Sequence, residues 1–344
     1  MSYAALPTLR TPRLTLRPLT ETDTNAVYDG VSNYDVIRWL GRIPYPYERE
    51  DAAAFISRVQ DNDLMIWAVE ASGDFVGVVG IDEELGYWLK RPAWGRGYAF
   101  EASVAVLRHW FSDPEHGEVA SGHYHDNNRS RRILCALGFE DVAQRPRFAR
   151  ALSQNVMGAD MVLTRAAWNK RQSIDIRTDH LRLRPMDVRD AAALVDLAQP
   201  QVTRMLFSLR PGITEEEARE FILARQWQGV PGYALAIERD GQFIGYIATG
   251  NQHGVELYYA LHPDHWGQGL MSEALRSFLL DVFNRFPINR VIADRFEDNP
   301  ASGRVLEKCG FVATGNEMGH SLGRLEPAPV ITYALTRDKL RVSQ

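Results

Sequence analysis

The chain has 344 residues, 45% of them hydrophobic and 24% charged, with a formal net charge of −5. That is enough apolar residue for cored domains, and it lacks the basic excess by which a nucleic-acid binder neutralises phosphates. There is no apolar run of about 18 residues, no apolar core of a signal peptide at the start, and two cysteines make no disulfide framework. No nucleic acid or membrane partner is therefore expected, and the cytoplasm is the expected location.

In chain order, residues 13–19 alternate apolar and polar side chains and read as a strand. Residues 21–31 follow with helical spacing, opening on acids that favour a helix N-terminus. Residues 48–60 form a second helix with Phe55, Ile56 and Val59 on one face. A hairpin at 65–70 and 75–81 turns around Ser72-Gly73-Asp74, and 84–89 is a further strand. A glycine loop then leads into a helix from 97 to about 110. A strand at 118–124, a helix at 127–137 stopped by Gly138, and closing strands at 139–143 and 156–164 complete the series.

The whole order is written twice. Trp94-Gly95-Arg96-Gly97-Tyr98-Ala99 recurs 172 positions later as Trp266-Gly267-Gln268-Gly269-Leu270-Met271. The same offset carries Asn127 and Ser130 onto Asn299 and Ser302, and Gly138-Phe139 onto Gly310-Phe311. Near the chain start, Leu9–Pro18 is answered by Ile176–Pro185 at an offset of 167. Two domains of ordinary size are expected, 1–171 and 174–344, each a mixed α/β (α+β) sheet domain. Duplication also allows the halves to pack as a pseudo-dimer; the oligomeric state stays open.

A strand ending in a loop with two glycines, then a helix, points free backbone N–H groups at one spot, and the helix dipole adds positive potential there. Glycine lets the backbone approach a ligand without an intervening Cβ. A diphosphate is the natural occupant; a plain tight turn is the competing reading. The loops, with Leu85-Gly86-Tyr87-Trp88-Leu89 before the first and Leu257-Tyr258-Tyr259 before the second, and with the downstream Asn-x-x-Ser and Gly-Phe elements, resemble the acetyl-CoA pyrophosphate motif of the GNAT N-acyltransferases. The resemblance is to the ribosomal-protein N-acetyltransferase branch and covers both halves nearly end to end. Two departures stand out. Trp94 and Trp266 replace the Gln or Arg that heads the superfamily motif, and Met271 stands where a small residue is expected, as Ala99 is.

The resemblance implies two tandem GNAT domains that carry acetyl-CoA as cosubstrate and need no metal. Trp94, Gly95, Arg96, Gly97, Tyr98 and Ala99, with Trp266, Gly267, Gln268, Gly269, Leu270 and Met271, would hold the pyrophosphate. Asn127 and Asn299 would touch the pantetheine arm, although each is also a favoured helix N-cap. Ser130 and Ser302 would lie near the sulfur and assist the leaving thiolate, a modest aid because a thiol already leaves tolerably at neutral pH. Backbone donors near Leu89 and Leu261 would serve as the oxyanion site.

An attacking amine must first be neutral. Candidate bases are Glu84, with Asp82 and Glu83 beside it, in the first copy, and Glu256, Glu317 and His320 in the second; solvated strand-edge charge is the bland reading of each. Glu101 and Glu273, one turn into the loop helices, are expected to be structural. Cys135 sits in an apolar helical stretch and reads as core, and neither it nor Cys309 has a partner pattern for covalent catalysis. His123, His125 and Asp126 suggest a metal cluster only until the second copy is compared, which has Asp294-Arg295-Phe296-Glu297 there.

The leading expectation is acetyl transfer from acetyl-CoA to a primary amine, either a small molecule or a protein N-terminus, by direct attack in a ternary complex. The alternatives are one catalytic half beside a structural or CoA-binding half, and a non-catalytic CoA-binding interaction protein. The unlike segments 145–157 and 316–329 are expected to be loops shaping the acceptor pocket.

Overall fold

The computed structural model describes residues 6–251 and 254–341. The chain divides into two compact units, Met1–Arg171 and Gln172–Gln344. The first opens with β1 (Leu9–Arg10) and β2 (Leu14–Pro18), then helices α1 (Thr24–Val31), α2 (Tyr34–Ile37) and α3 (Arg49–Asp61). The hairpin β3 (Met65–Ala71) and β4 (Asp74–Ile81) leads through β5 (Leu85–Leu89) and the glycine loop to α4 (Tyr98–Trp110). After these come β6 (Glu118–Tyr124), α5 (Asn128–Leu137), β7 (Glu140–Ala149), β8 (Gln154–Thr164) and α6 (Arg165–Gln172).

The second unit repeats the plan. Its elements are β9 (Ile176–Arg177), β10 (Arg182–Pro185), α7 (Ala191–Leu197), α8 (Pro200–Thr203), α9 (Glu215–Leu223), β11 (Ala234–Arg239) and β12 (Gln242–Thr249). They continue with β13 (Val255–Leu261), α10 (Leu270–Arg285), β14 (Arg290–Phe296), α11 (Pro300–Lys308), β15 (Val312–Gly319) and β16 (Ala328–Thr336).

Alternation along the strands divides each core in two. In the first unit Ile66, Ala68 and Val78 face α1 and α3, whose Val27, Val31, Ile56 and Val59 close over them. Trp67, Val69 and Val79 are buried on the other face, where α4 packs on β4 and β5. In the second unit Ala234, Ala236, Tyr246, Ala248 and Ala260 meet α7 and α9. One ion-pair device recurs. Arg17 bridges Asp23 and Glu70, and Arg184 bridges Asp190 and Glu238, tying β2 and β10 to the turn that follows each. Against the effect of its burial, the Arg17 guanidinium holds the Asp23 carboxyl below the usual range.

The sheets differ at one place. The first unit has a five-stranded sheet, β1-β2-β3-β4-β5, and a separate three-stranded sheet, β6-β8-β7. The second has a single eight-stranded sheet, β15-β16-β14-β13-β12-β11-β10-β9. A short parallel ladder makes the join, Val255↔Val291, Glu256↔Ile292 and Leu257↔Ala293, after which β13 and β14 part. At the equivalent point of the first unit the Ser121 hydroxyl donates to the Leu85 carbonyl at 2.8 Å. A side-chain hydroxyl thus takes the carbonyl, and no ladder joins β5 to β6. Ala293, in the place of Ser121, has no hydroxyl to intervene.

Several expectations need correcting. The strand expected from 84 begins at Leu85, and the helix expected at 21–31 starts as a 3-10 turn, Glu21–Asp23. The segment 145–157 is not a loop: β7 runs to Ala149 and β8 starts at Gln154, because cross-strand pairs of Arg145 and Arg147 with Asp160 extend the hairpin. β15 likewise runs to Gly319, which confines the loop of the second unit to 320–327. Helices α2, α6 and α8 were not anticipated.

Candidate active site

Both glycine loops take the same backbone path. Gly95 and Gly97 have φ of 78° each, and Gly267 and Gly269 have φ of 74° and 80°, in the left-handed region where a Cβ costs energy. Gly97 and Gly269 are the N-caps of α4 and α10 and provide no side-chain cap. The first helical bonds are made by Glu101 N to Gly97 O and by Glu273 N to Gly269 O, so the N–H groups of residues 98–100 and 270–272 are left for an anion.

The conserved geometry is held from behind. Trp94 donates its indole N–H to the Leu89 carbonyl at 2.8 Å, and Trp266 does the same to Leu261 at 2.8 Å. These tryptophans pin the loop to the strand end, which is a positioning task. Glu101, 2% exposed, accepts from the Thr11 hydroxyl, the Arg13 N–H and Arg13 Nε, while Arg13 Nη1 donates to the Arg96 carbonyl. Glu273 accepts from the His180 N–H and lies 3.0 Å from His180 Nδ1. Both glutamates are structural, as their position one turn into the helix suggests. Met271 is buried in the core and so does not crowd the loop.

The loops differ in charge. Around the first are Arg91, Arg96 and Arg129, with the guanidinium groups of Arg91 and Arg129 at 4.7 and 4.8 Å from the Trp94 ring, whereas the Lys90 amine lies over the Phe75 ring at 5.2 Å. The positions answering these three arginines are Pro263, Gln268 and Ala301. Gln268 is tied to Arg239 at 2.7 Å and to the Asp264 carbonyl at 3.0 Å.

The strand ends supply donors by register. Leu89 is paired with Gly77, while the flanking bond runs from Lys90 N to Val76 O at 2.8 Å. That pattern makes Leu89 and Gly77 a non-hydrogen-bonded pair, so the Leu89 N–H points away from β4 into the gap beside β5. Leu261 with Gly245, flanked by His262 N to Ile244 O at 2.8 Å, repeats the arrangement.

Asn127 and Asn299 cap their helices, each accepting from the N–H of Ser130 or Ser302 at 3.2 Å. The serine hydroxyls are engaged: Ser130 Oγ lies 2.9 Å from the Tyr87 hydroxyl, and Ser302 Oγ 2.8 Å from that of Tyr259. Burial pushes both phenols well above their ordinary range, so both stay neutral. These tyrosines were not among the candidate site residues, although they stand at the same offset of 172 as the serines that they meet.

The candidate bases fare unequally. Asp82 pairs with Arg58 at 2.9 Å and Glu83 with Arg42 at 2.7 Å, both in the turn before β5. Glu84 lies 3.8 Å from Arg147, which also grips Asp160. In the second unit Glu256 accepts from the Tyr258 hydroxyl, and Glu317 and His320 are exposed on and just after β15. Asp294 on β14 joins this group and was missed. Desolvation by the surrounding protein, then the charges of Glu317 and Glu256, raise its carboxyl to about 6. The residue is nevertheless exposed to solvent. The available signal was a lone acid within the apolar strand Val291-Ile292-Ala293, where the first copy has Gly122.

The cysteines correct one more expectation. Cys135 is exposed, because Leu134 and Leu137 take the inward face of α5. Cys309 is buried, and burial pushes its thiol up to about 11, far from a poised thiolate. His123 is buried, with a ring nitrogen 2.8 Å from the Tyr124 carbonyl. Among the described residues no helix is long and apolar enough to cross a membrane.

Comparison with known proteins shows the family. The family described as Acetyltransferase (GNAT) domain matches the chain twice, over residues 13–140 and 180–312. The uncharacterized N-acetyltransferase YoaA of Bacillus subtilis is 32% identical over 149 residues, covering 41% of this chain and 84% of that protein. The N-acetyltransferase p20 of Bacillus licheniformis is 26% identical over 147 residues, covering 40% and 80%. Among solved structures, a GNAT-family acetyltransferase from Bacillus anthracis aligns with a TM-score of 0.42 at 22% identity, covering 48% of this chain and 99% of that one. A ribosomal L7/L12 α-N-protein acetyltransferase in complex with coenzyme A aligns with a TM-score of 0.44 at 21% identity, covering 48% and 99%.

Proposed function

The chain belongs to the GNAT acetyltransferase family, and from that premise we propose that it moves an acetyl group from acetyl-CoA to a primary amine by direct attack in a ternary complex. The domains of this reading are 1–171 and 174–344. The carrying observation is the uncapped helix start behind two left-handed glycines, set beside a strand end whose N–H points into an open gap. The free N–H groups suit the pyrophosphate. The Leu89 and Leu261 N–H groups suit the oxygen of a thioester laid along the gap, where the developing negative charge would find a fixed donor.

The remaining roles follow the same geometry. Asn127 and Asn299 spend their side-chain oxygens on helix caps, which leaves their amide N–H groups for the pantetheine arm. Ser130 and Ser302, each hydrogen-bonded to a neutral tyrosine, form a two-hydroxyl relay from which a leaving thiolate could draw a proton. The acceptor is a small amine or a protein N-terminus.

Incubation with acetyl-CoA and a panel of amines, with free thiol as the readout, tests the reading. Release of CoA matched by acetylated amine supports it; tight CoA binding with no acceptor acetylated rejects it. A second reading, one catalytic half beside a CoA-binding half, is favoured by the unequal pairing of the two sets of carboxylates.

A further inference from the structure

The acceptor sides of the halves are built from equivalent positions carrying opposite chemistry. Along the offset of 172, Glu84 answers to Glu256, Gly122 to Asp294, Arg145 to Glu317 and Arg147 to Gly319. Strand pairing repeats in step. Asp160 pairs with Gly122 and Ala143 in the first unit, and Thr332 pairs with Asp294 and Gly315 in the second. The correspondence is therefore one of place in the sheet as well as in sequence.

In the first unit a Cβ on Gly122 would lie 2.5 Å from Arg147 Nη2 and 3.0 Å from its Cζ. The guanidinium fills the volume that the Asp294 side chain takes in the second unit. Asp160 holds it through Nε at 3.1 Å and through Nη2, and Glu84 lies 3.8 Å from its Nη1. A cation is thus already seated beside the carboxylate that answers to Glu256. In the second unit the position of Arg147 is Gly319, and no side chain reaches back from it.

Asp294 stands one residue beyond the last rung of the parallel ladder, where β13 and β14 part. By strand alternation and register, Glu256, Tyr258, Asp294 and Glu317 share one sheet face, while Tyr259 and the Ser302 relay lie on the other. Resting on the acetyl-transfer reading above, we propose that Asp294 takes the proton of the acceptor amine in the second half, and that Arg147, an internal cation in the equivalent place, withholds this role from the first.

The amine arrives as its ammonium form, drawn by the three carboxylates. It gives one proton to Asp294, and the freed lone pair attacks the thioester carbon. The C–N bond forms, the C–S bond breaks, and the second amine proton goes to the departing thiolate, giving an amide and free CoA; Asp294 returns its proton to solvent. The charged and titratable groups facing Asp294 are Glu256 and Tyr258 from β13 and Glu317 from β15, with Arg225, after α9, close to Tyr258. A carboxylate raised by such neighbours is more basic than an ordinary one and still ionised at neutral pH.

The test uses the full chain and an amine that it acetylates, with kcat/KM followed from about pH 5 to 9. The wild type is expected to rise through an acid limb with a midpoint near 6. Asp294→Asn is expected to lie about 100-fold lower and to lack that limb, with acetyl-CoA affinity by calorimetry unchanged. Asp294→Glu restores part of the rate, and Arg147→Met keeps both the wild-type rate and the limb. An Asp294→Asn chain that keeps rate and limb overturns the assignment, as does an Arg147→Met chain that loses as much. A wild type that binds acetyl-CoA yet acetylates no amine overturns the transfer reading and this assignment with it, a failure visible before any variant is made.

Discussion

The first half of the chain carries the more basic glycine loop, and the second a set of carboxylates with no counterparts of Arg145 and Arg147. Arg91, Arg96 and Arg129 surround the first glycine loop, whereas Glu84 and Asp160 behind it are neutralised by Arg145 and Arg147. Around the second loop stand Pro263, Gln268 and Ala301, with the cation of Arg239 bonded to Gln268, yet Glu256, Asp294 and Glu317 face one another with no arginine answering to Arg147. The backbone of the cofactor grip is nearly identical in both, with all four glycines left-handed and both helix starts uncapped. Duplication has kept what the backbone supplies and let the side chains diverge. Two equal grips on a cofactor are therefore not two equal active sites.

The largest effect should come from filling the loops. Gly97→Trp and Gly269→Trp each force a side chain into the left-handed region, at a strain of about 1–3 kcal/mol, and set an indole where phosphate would lie. Calorimetry should show two CoA sites in the wild type and one in each variant, with turnover lost in Gly269→Trp. Two sites persisting in either variant would break the comparison at its root.

Next comes ionic strength. CoA binding to the first loop should weaken more steeply with added salt than binding to the second, because exposed arginines there would meet phosphate. Arg129→Ala should weaken the first site about five-fold, on the order of 1 kcal/mol, and leave the second alone. Equal salt slopes at both sites would remove the cofactor-side contrast.

One carboxyl from each half gives a pair of opposite sign in the pH dependence of stability. The Asp294 carboxyl is raised in the folded chain from 3.8 to about 6, so folding favours its protonated form. Its contribution is full below about 3.8 and is lost as pH rises through about 6. Asp294→Asn should therefore raise the thermal midpoint at pH 8 and leave it nearly unchanged at pH 4. Asp23, lowered by Arg17, acts in reverse: it stabilises above 3.8 and fades as pH falls through its lowered value. Asp23→Asn should lower the midpoint at pH 8. Matching signs for the two variants would refute the contrast.

The smallest effect is the one expected to be equal. Asn127→Ala and Asn299→Ala each remove a cap that accepts at 3.2 Å and should cost about 1 kcal/mol, or roughly 2–4 °C. Unequal losses would show that one asparagine does more than cap its helix.

Much of the fold was legible in residue pattern. The hairpin around Ser72-Gly73-Asp74, the helix after each glycine loop and the stop at Gly138 are local signals, set by turn chemistry and by 3.6-residue periodicity. The segment 145–157 misled because its residues are polar and exposed. Its strand character comes from Asp160 across the hairpin, a partner that no local window contains. Cys135 misled in the same way: an apolar neighbourhood in sequence placed it inward, whereas a turn of 100° past Leu134 places it outward.

By itself the sequence determined the duplication, the glycine loops and the family, because these are carried by residue identity at fixed spacing. A left-handed φ demands glycine, and a helix start demands a cap or a ligand, wherever the chain runs. Only the tertiary structure decided which carboxylates lie against Arg147. Glu84 and Glu256 look alike in sequence, and so do the strands that bear them. What distinguishes them is Arg147, 63 residues after Glu84 in the chain and 3.8 Å from it in space. Charge acts through distance in the fold, and sequence spacing does not reveal that distance.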